Sequence, residues 1–118
     1  MTTEQIASIC HEVNRAYCAS LGDESQPTWD DAPQWQRDSA IAGVCAIWAN
    51  PATTPRQSHE GWMAQKAADG WTYGHTKNAL TKQHPCMVPY DALPKDQQTK
   101  DHLFGAVVRA CLPSLVAA

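Results

Sequence analysis

Apolar residues recur at helical spacing in four stretches of this chain. From Glu4 to Leu21, Ile6, Ile9, Cys10, Val13 and Tyr17 fall three and four apart, which predicts an amphipathic helix closed by Gly22. A polar link then leads through Asp30, Asp31 and Pro33, which suit a first helical turn. A second helix is expected from Pro33 to Ala49, with Ile41, Val44, Cys45 and Trp48 on its buried side and Asn50-Pro51 at its end. Arg56 to Ala68 carries His59, Trp62, Met63, Lys66 and Ala67 at the same spacing and stops at Gly70, a third helix. The fourth opens at Leu93-Pro94, has Asp96 and Asp101 early and Arg109 late, and buries Leu103, Phe104, Val107, Val108 and Cys111 before Pro113.

Between the third and fourth helices, Trp71 to Pro89 breaks the pattern. Its alternation is too brief for a real sheet and predicts at most a short bridge or hairpin, pairing Trp71-Thr72-Tyr73 with Met87-Val88. The fold class is therefore mainly α: four helices around one irregular loop rich in aromatics and proline, with no internal repeat.

Composition narrows the function. The 118 residues, 43% hydrophobic and 18% charged, suit one globular domain. No apolar run approaches the length of a membrane span, and the first residues lack a signal-peptide pattern, so no membrane partner and a cytoplasmic location are expected. A net charge of -3 argues against general nucleic-acid binding, which needs a basic face. The five cysteines lack any C-x-x-C pair and read as reduced, mostly buried thiols.

Catalytic signatures are thin. His11-Glu12 and His59-Glu60 each begin an H-E-x-x-H zinc motif, but Arg15 and Met63 stand where the second histidine belongs. His84 lies two residues from Cys86, yet a thiol between Pro85 and Met87 reads more simply as a core group. No phosphate loop, nucleophile elbow or dinucleotide fingerprint occurs, so no catalytic residue, metal or cofactor is assigned.

The richest segment is Gly70-Trp71-Thr72-Tyr73-Gly74, followed by His84-Pro85-Cys86-Met87-Val88-Pro89-Tyr90. Glycine and proline frame its aromatics and exclude regular helix. Trp71 and Tyr73, with Lys66, Lys77, Lys82, His75 and His84 nearby in sequence, suit a planar heteroaromatic ring bearing phosphate. Stacking on an aromatic contributes roughly 1–3 kcal/mol, against about -8 kcal/mol for micromolar affinity. Packing of Trp71 on Trp62 or Phe104 in the core is the competing reading. Trp62, on a helical stripe with Met63, reads as core, and the Tyr90 hydroxyl reads first as capping a backbone group and second as touching a ligand.

In these residues the chain resembles the RyR domain, the module repeated in the cytoplasmic part of ryanodine receptors and found alone in bacterial and phage proteins. The shared pattern is His59-x-x-Trp62, Gly70 to Gly74, Lys77-Asn78, Lys82-x-His84 through Tyr90, then Leu93-Pro94 and a closing helix. Asn78 departs from it, since relatives commonly have an acidic residue there. The resemblance implies a core over residues 56–113, with residues 1–55 as a two-helix extension packed on it. It also implies a cleft for a nucleotide, built on Trp71, Tyr73, Gly74, Lys77, Lys82, His84 and Tyr90, that a second copy completes as a homodimer.

Three functions follow from these readings. The leading one is a non-catalytic sensor or sponge for a nucleotide or nucleotide-derived second messenger, and by analogy with small relatives a phage decoy against host antiviral signalling in the host cytoplasm. The second is a protein-interaction module docking through Trp29 and Trp35. The third, resting on Asp69, His75 and His84, is a nucleotide hydrolase. The leading one requires the Trp71 indole to stand clear of the interior beside a hollow.

Overall fold

A computed structural model describes residues 1–115. It contains four helices, α1 (Thr3–Ser20), α2 (Gln34–Ala49), α3 (Pro55–Ala68) and α4 (Lys95–Cys111). Two-residue strands β1 (Thr72–Tyr73) and β2 (Gln83–His84) lie between α3 and α4, and single 3-10 turns occupy Tyr90–Ala92 and Leu112–Ser114. The mainly α class and the four helices agree with the sequence pattern. Among the described residues no helix is long and apolar enough to cross a membrane.

Local chemistry sets the helix ends. At the start of α1 the Gln5 amide donates to Thr2 Oγ1 at 3.1 Å, and the Thr2 amide donates back to Gln5 Oε1 at 2.9 Å. Thr54 and Gln57 repeat this reciprocal cap at α3, at 3.2 and 2.9 Å, with Pro55 in the first turn. Each box satisfies two amides that a helix start leaves orphaned. At the far end of α3, Gly70 adopts φ +90°, a left-handed conformation that costs glycine little. Its amide reaches Ala67 O at 3.0 Å and that of Trp71 reaches Lys66 O at 2.9 Å, the paired bonds of a Schellman stop. The chain therefore doubles back, and Trp71 lies over the last turn of α3.

The strand pairing differs from the expected hairpin. Thr72 aligns with Gln83 and Tyr73 with His84, and the two strands run parallel. Met87-Val88 is drawn out of the ladder because the Met87 amide closes a turn onto His84 O at 3.3 Å, while Val88 O accepts from His59 Nε2 at 2.7 Å. A second reversal makes the parallel register reachable: Asn78 bridges antiparallel to Gln83, and its side-chain oxygen accepts from the Leu80 and Thr81 amides at 2.9 and 3.3 Å. Gly74 is required by close approach, since a Cβ there would sit 2.5 Å from Gln83 Cβ.

The aliphatic core joins α1, α2 and α4. Ile6, Ala7, Cys10, Trp29, Val44, Ile47 and Val108 form one buried cluster, with Ile41, Phe104, Val107 and Cys111 packed against it. The predicted stripes need two corrections. In α1, Ile9 is 36% exposed while Ala7 and His11 are buried, and in α2 the buried partner of Val44 is Ile47, leaving Cys45 exposed and Trp48 44% exposed. Both helices are turned by the neighbour they meet, because a face's burial is settled by packing against α4 and against each other. Trp29, expected in an exposed link, is 9% exposed and lies edge-on to His11 at 5.7 Å.

No residue of α3 joins that cluster; the helix buries His59 and Lys66 instead. It faces α2 and α4 with polar and aromatic groups, whose hydrogen-bonding atoms need partners that aliphatic chains do not. Replacing Ile47 by alanine is expected to lower the unfolding free energy by about 2–5 kcal/mol, measured by urea denaturation. Leu80→Ala, at a residue 97% exposed, should stay within about 0.5 kcal/mol of the parent.

Candidate functional site

The side chains of α3 and the loop form a file of rings across the molecule. Tyr90 lies 6.1 Å from His59, His59 stacks on Trp62 at 5.6 Å, and Trp62 meets His84 edge-on at 5.0 Å. His84 then lies 6.3 Å from Trp71, and Trp71 packs at 5.2 Å on Trp35 at the start of α2. Each junction falls within aromatic-pair range. The file spans the seam that the aliphatic core leaves open.

Beside it lies a cavity of about 480 Å³, within the usual size of a small-molecule site. Trp35, Trp62, His59, His84 and Phe104 give it aromatic walls; Lys77, Lys100 and Asp101 bring charge; Asn14 and the glutamines 26, 36, 57, 65 and 97 bring amides. All four helices of a single copy contribute.

The cations in its wall and behind it are unusual. Lys66 is 3% exposed, with Nζ 4.8 Å from the Trp35 ring centre and 5.6 Å from that of Trp71. Lys77 lies on an exposed stretch of loop, but its side chain reaches inward and sets Nζ 5.3 Å over the same Trp35 ring. Such cation–π contacts offset part of the loss of water. Burial lowers the pKa of Lys66, which Asp69 opposes, and burial followed by the charge of Lys100 lowers that of Lys77. Among the described residues the ion pairs are Arg15–Glu12 and Arg56–Asp91, so neither Lys77 nor Lys100 has a carboxylate partner.

Burial, then the charges of Lys77, Lys100 and Lys66, push the His84 imidazole from 6.5 down to about 4. The ring is neutral at pH 7. Its Nδ1 accepts from the Cys86 amide at 3.0 Å, so the proton sits on Nε2 and the ring offers a donor there. With Nδ1 engaged by an amide, His84 is not poised against the Cys86 thiol, whose pKa burial raises and whose Sγ lies 3.6 Å from Gln97 Oε1. His11 and His59 each donate Nε2–H to a carbonyl, of Pro27 and Val88, both at 2.7 Å. Among the described residues no cluster of three or more His, Cys, Asp or Glu could hold a metal ion.

The predicted site residues separate. Lys77 and His84 line the cavity. Trp71 does not stand clear: it is 6% exposed, folded onto Lys66 by the Gly70 turn and covered by Trp35, so it supports the wall from behind. Tyr73 is 57% exposed on β1, and Gly74 is buried against Gln83. Lys82 sits at φ +55° and donates to Asp69 O at 2.7 Å, which fastens the loop to the end of α3. Tyr90 pairs its hydroxyl with His102 Nε2 at 3.3 Å, a side chain and not the backbone group expected, under Arg56 at 5.1 Å. Asp69 and His75 are exposed and outside the cavity lining.

The cavity lining also includes Trp62, Lys100, Asp101 and the glutamines, which the sequence pattern does not single out for a ligand, and Trp35, which it offers only as a docking aromatic. Trp62 shares the stripe of His59 and Lys66, whose mixed polar and aromatic character was the available signal against an aliphatic core. Lys100 precedes Asp101 on a helix whose phase was correctly read. Nothing in the sequence joins Trp35 to Trp71.

A comparison with protein-family models matches residues 52–116, more than half of the chain, to the RyR domain. The match takes in α3, the loop and α4, and leaves α1 and α2 outside.

Asp101 supplies a pH signature. Burial raises its carboxyl from 3.8 to about 6, against the pull of His59, His102 and Lys100. Below about 4 the folded and unfolded chains both hold the proton. Between about 4 and 6 the unfolded chain releases it first, so this group costs stability as pH rises. His84 works oppositely, since its depressed value makes stability fall as pH drops from 6.5 towards 4. Asp101→Asn should therefore gain on the parent by on the order of 1–2 kcal/mol between pH 4 and 6, then hold constant, in urea titrations across that range.

Proposed function

Since the chain belongs to the RyR domain family, we propose that its cavity binds a nucleotide or nucleotide-derived second messenger without turning it over. The observation that carries this is the pair Lys77 and Lys100, two cations without ion-pair partners among the described residues, which share one cavity with the indoles of Trp35 and Trp62. Like charges brought together without an anion repel, and a phosphate entering between them relieves that repulsion while accepting their hydrogen bonds. The His84 Nε2–H adds a neutral donor that needs no counterion. The planar part of the ligand then lies along the aromatic wall, where an indole face contributes roughly 1–3 kcal/mol.

Trp71 as the stacking face fails, because that indole is 6% exposed and outside the cavity lining; in this reading the face passes to Trp35 and Trp62, and Trp71 holds Trp35 in place. Gly74, Lys82 and Tyr73 shape the loop that carries Lys77 and His84, and Tyr90 anchors it to α3 and α4. A domain that binds and does not cleave works as a sensor or a sponge. In a phage-encoded copy it would lower the free concentration of a host signal. The docking alternative loses Trp29, which lies in the core, and Trp35, which packs on Trp71.

Thermal shift against mono-, di- and cyclic nucleotides is the first test, since a ligand of the folded state raises stability in proportion to the logarithm of its concentration over Kd. Lys77→Ala and Lys100→Ala should each weaken binding of the best nucleotide by about tenfold or more, read by calorimetry at fixed salt. No shift with any nucleotide, or unchanged affinity in both variants, would sink the proposal.

A further inference from the structure

The cavity is shared by two parts of the chain with different chemistry. On the family-matched side stand the cations, Lys77 and Lys100. On the amino-terminal side, contributed by α2 and the link before it, stand Trp35 and an amide pair: Gln36 Nε2 donates to Gln26 Oε1 at 3.2 Å. That bond uses one donor of one amide and one acceptor lone pair of the other. Whichever way the two side-chain amides are turned, the pair still has a free carbonyl oxygen and free N–H groups, and among the described residues no other hydrogen bond engages either of them. Both side chains line the cavity and are partly buried, and among the described residues no fully buried side-chain polar atom lacks a partner, so the free groups of this pair remain accessible to a ligand edge.

We infer that the two parts divide recognition: Lys77 and Lys100 grip the anion whatever the base, and the Gln26–Gln36 pair beside Trp35 reads the edge of the ring. The inference rests on the nucleotide reading above and adds the residues that choose among nucleotides. A carboxamide presenting an acceptor next to a donor complements a base edge with the reverse order, as in the bidentate pairing of glutamine with the amino group and N7 of adenine. Reach is consistent with one nucleotide. Lys77 Nζ already lies 5.3 Å over the Trp35 ring, so a ring seated at Trp35 and Gln36 has its phosphate beside the cations. Selectivity thus resides in helices outside the family-matched segment, and copies of this domain with other amino-terminal helices would read other bases.

Binding of AMP, GMP, CMP and UMP to the full chain by calorimetry separates the two roles. The parent should rank the four, with about tenfold or more between best and worst. Gln36→Leu should flatten that ranking to about twofold while retaining measurable binding, and Gln26→Leu should do the same, an independent check if one variant folds poorly. Lys77→Ala should lower all four affinities by a similar factor, leave their order unchanged and reduce the dependence on salt. A ranking untouched by either glutamine variant, or reordered by Lys77→Ala, overturns the division of labour and leaves the nucleotide reading standing. Equal binding of all four by the parent also overturns it. Binding of none of the four overturns this inference, and the nucleotide reading falls with it only if di- and cyclic nucleotides also give no thermal shift.

Discussion

The left-handed turn at Gly70 is the constraint from which the site follows. Because the chain reverses there, Trp71 is laid over Lys66 at the end of α3, between His84 of the loop and the start of α2. Trp35 meets it, and the contact at 5.2 Å joins the amino-terminal helices to the family-matched segment. A residue with a Cβ at position 70 would strain at φ +90° and release that lock. The tryptophan most conspicuous in the sequence thus builds the wall and does not form its face.

A second consequence comes from the composition of α3. Its inward groups are imidazole, indole and ammonium, whereas α1, α2 and α4 close on one another with aliphatic chains. Aliphatic side chains close on one another with no polar atom to satisfy, while imidazole, indole and ammonium carry polar atoms that need partners. The cavity is the product of that mismatch. It is held open by ring-to-ring contacts running from Tyr90 to Trp35, so it does not need a ligand to exist.

Electrostatics then gives the cavity its sign. Lys77 and Lys100 are near enough for each to disfavour protonation of His84, and burial depresses Lys77 as well. Asp101 lines the same cavity and, with its carboxyl raised by burial to about 6, is mostly ionised at pH 7, so it offsets part of their charge. Among the described residues neither lysine has a carboxylate within ion-pair distance, which leaves their hydrogen bonds open to an anion.

Helix number, helix ends and the mainly α class were legible in the sequence because they depend on neighbours three or four residues away and on local stops such as Gly22, Gly70 and Pro94. The motif residues from His59 to Tyr90 were legible for the same reason, as an ordered string of uncommon residue types. Which face of α1 and α2 is buried, the parallel pairing of Thr72-Tyr73 with Gln83-His84, and the meeting of Trp35 with Trp71 were settled only in three dimensions. Those features depend on packing between segments distant in the chain, where burial and ring contacts outweigh local preference. Periodicity cannot register which of two well-spaced indoles ends up at a surface and which ends up behind it.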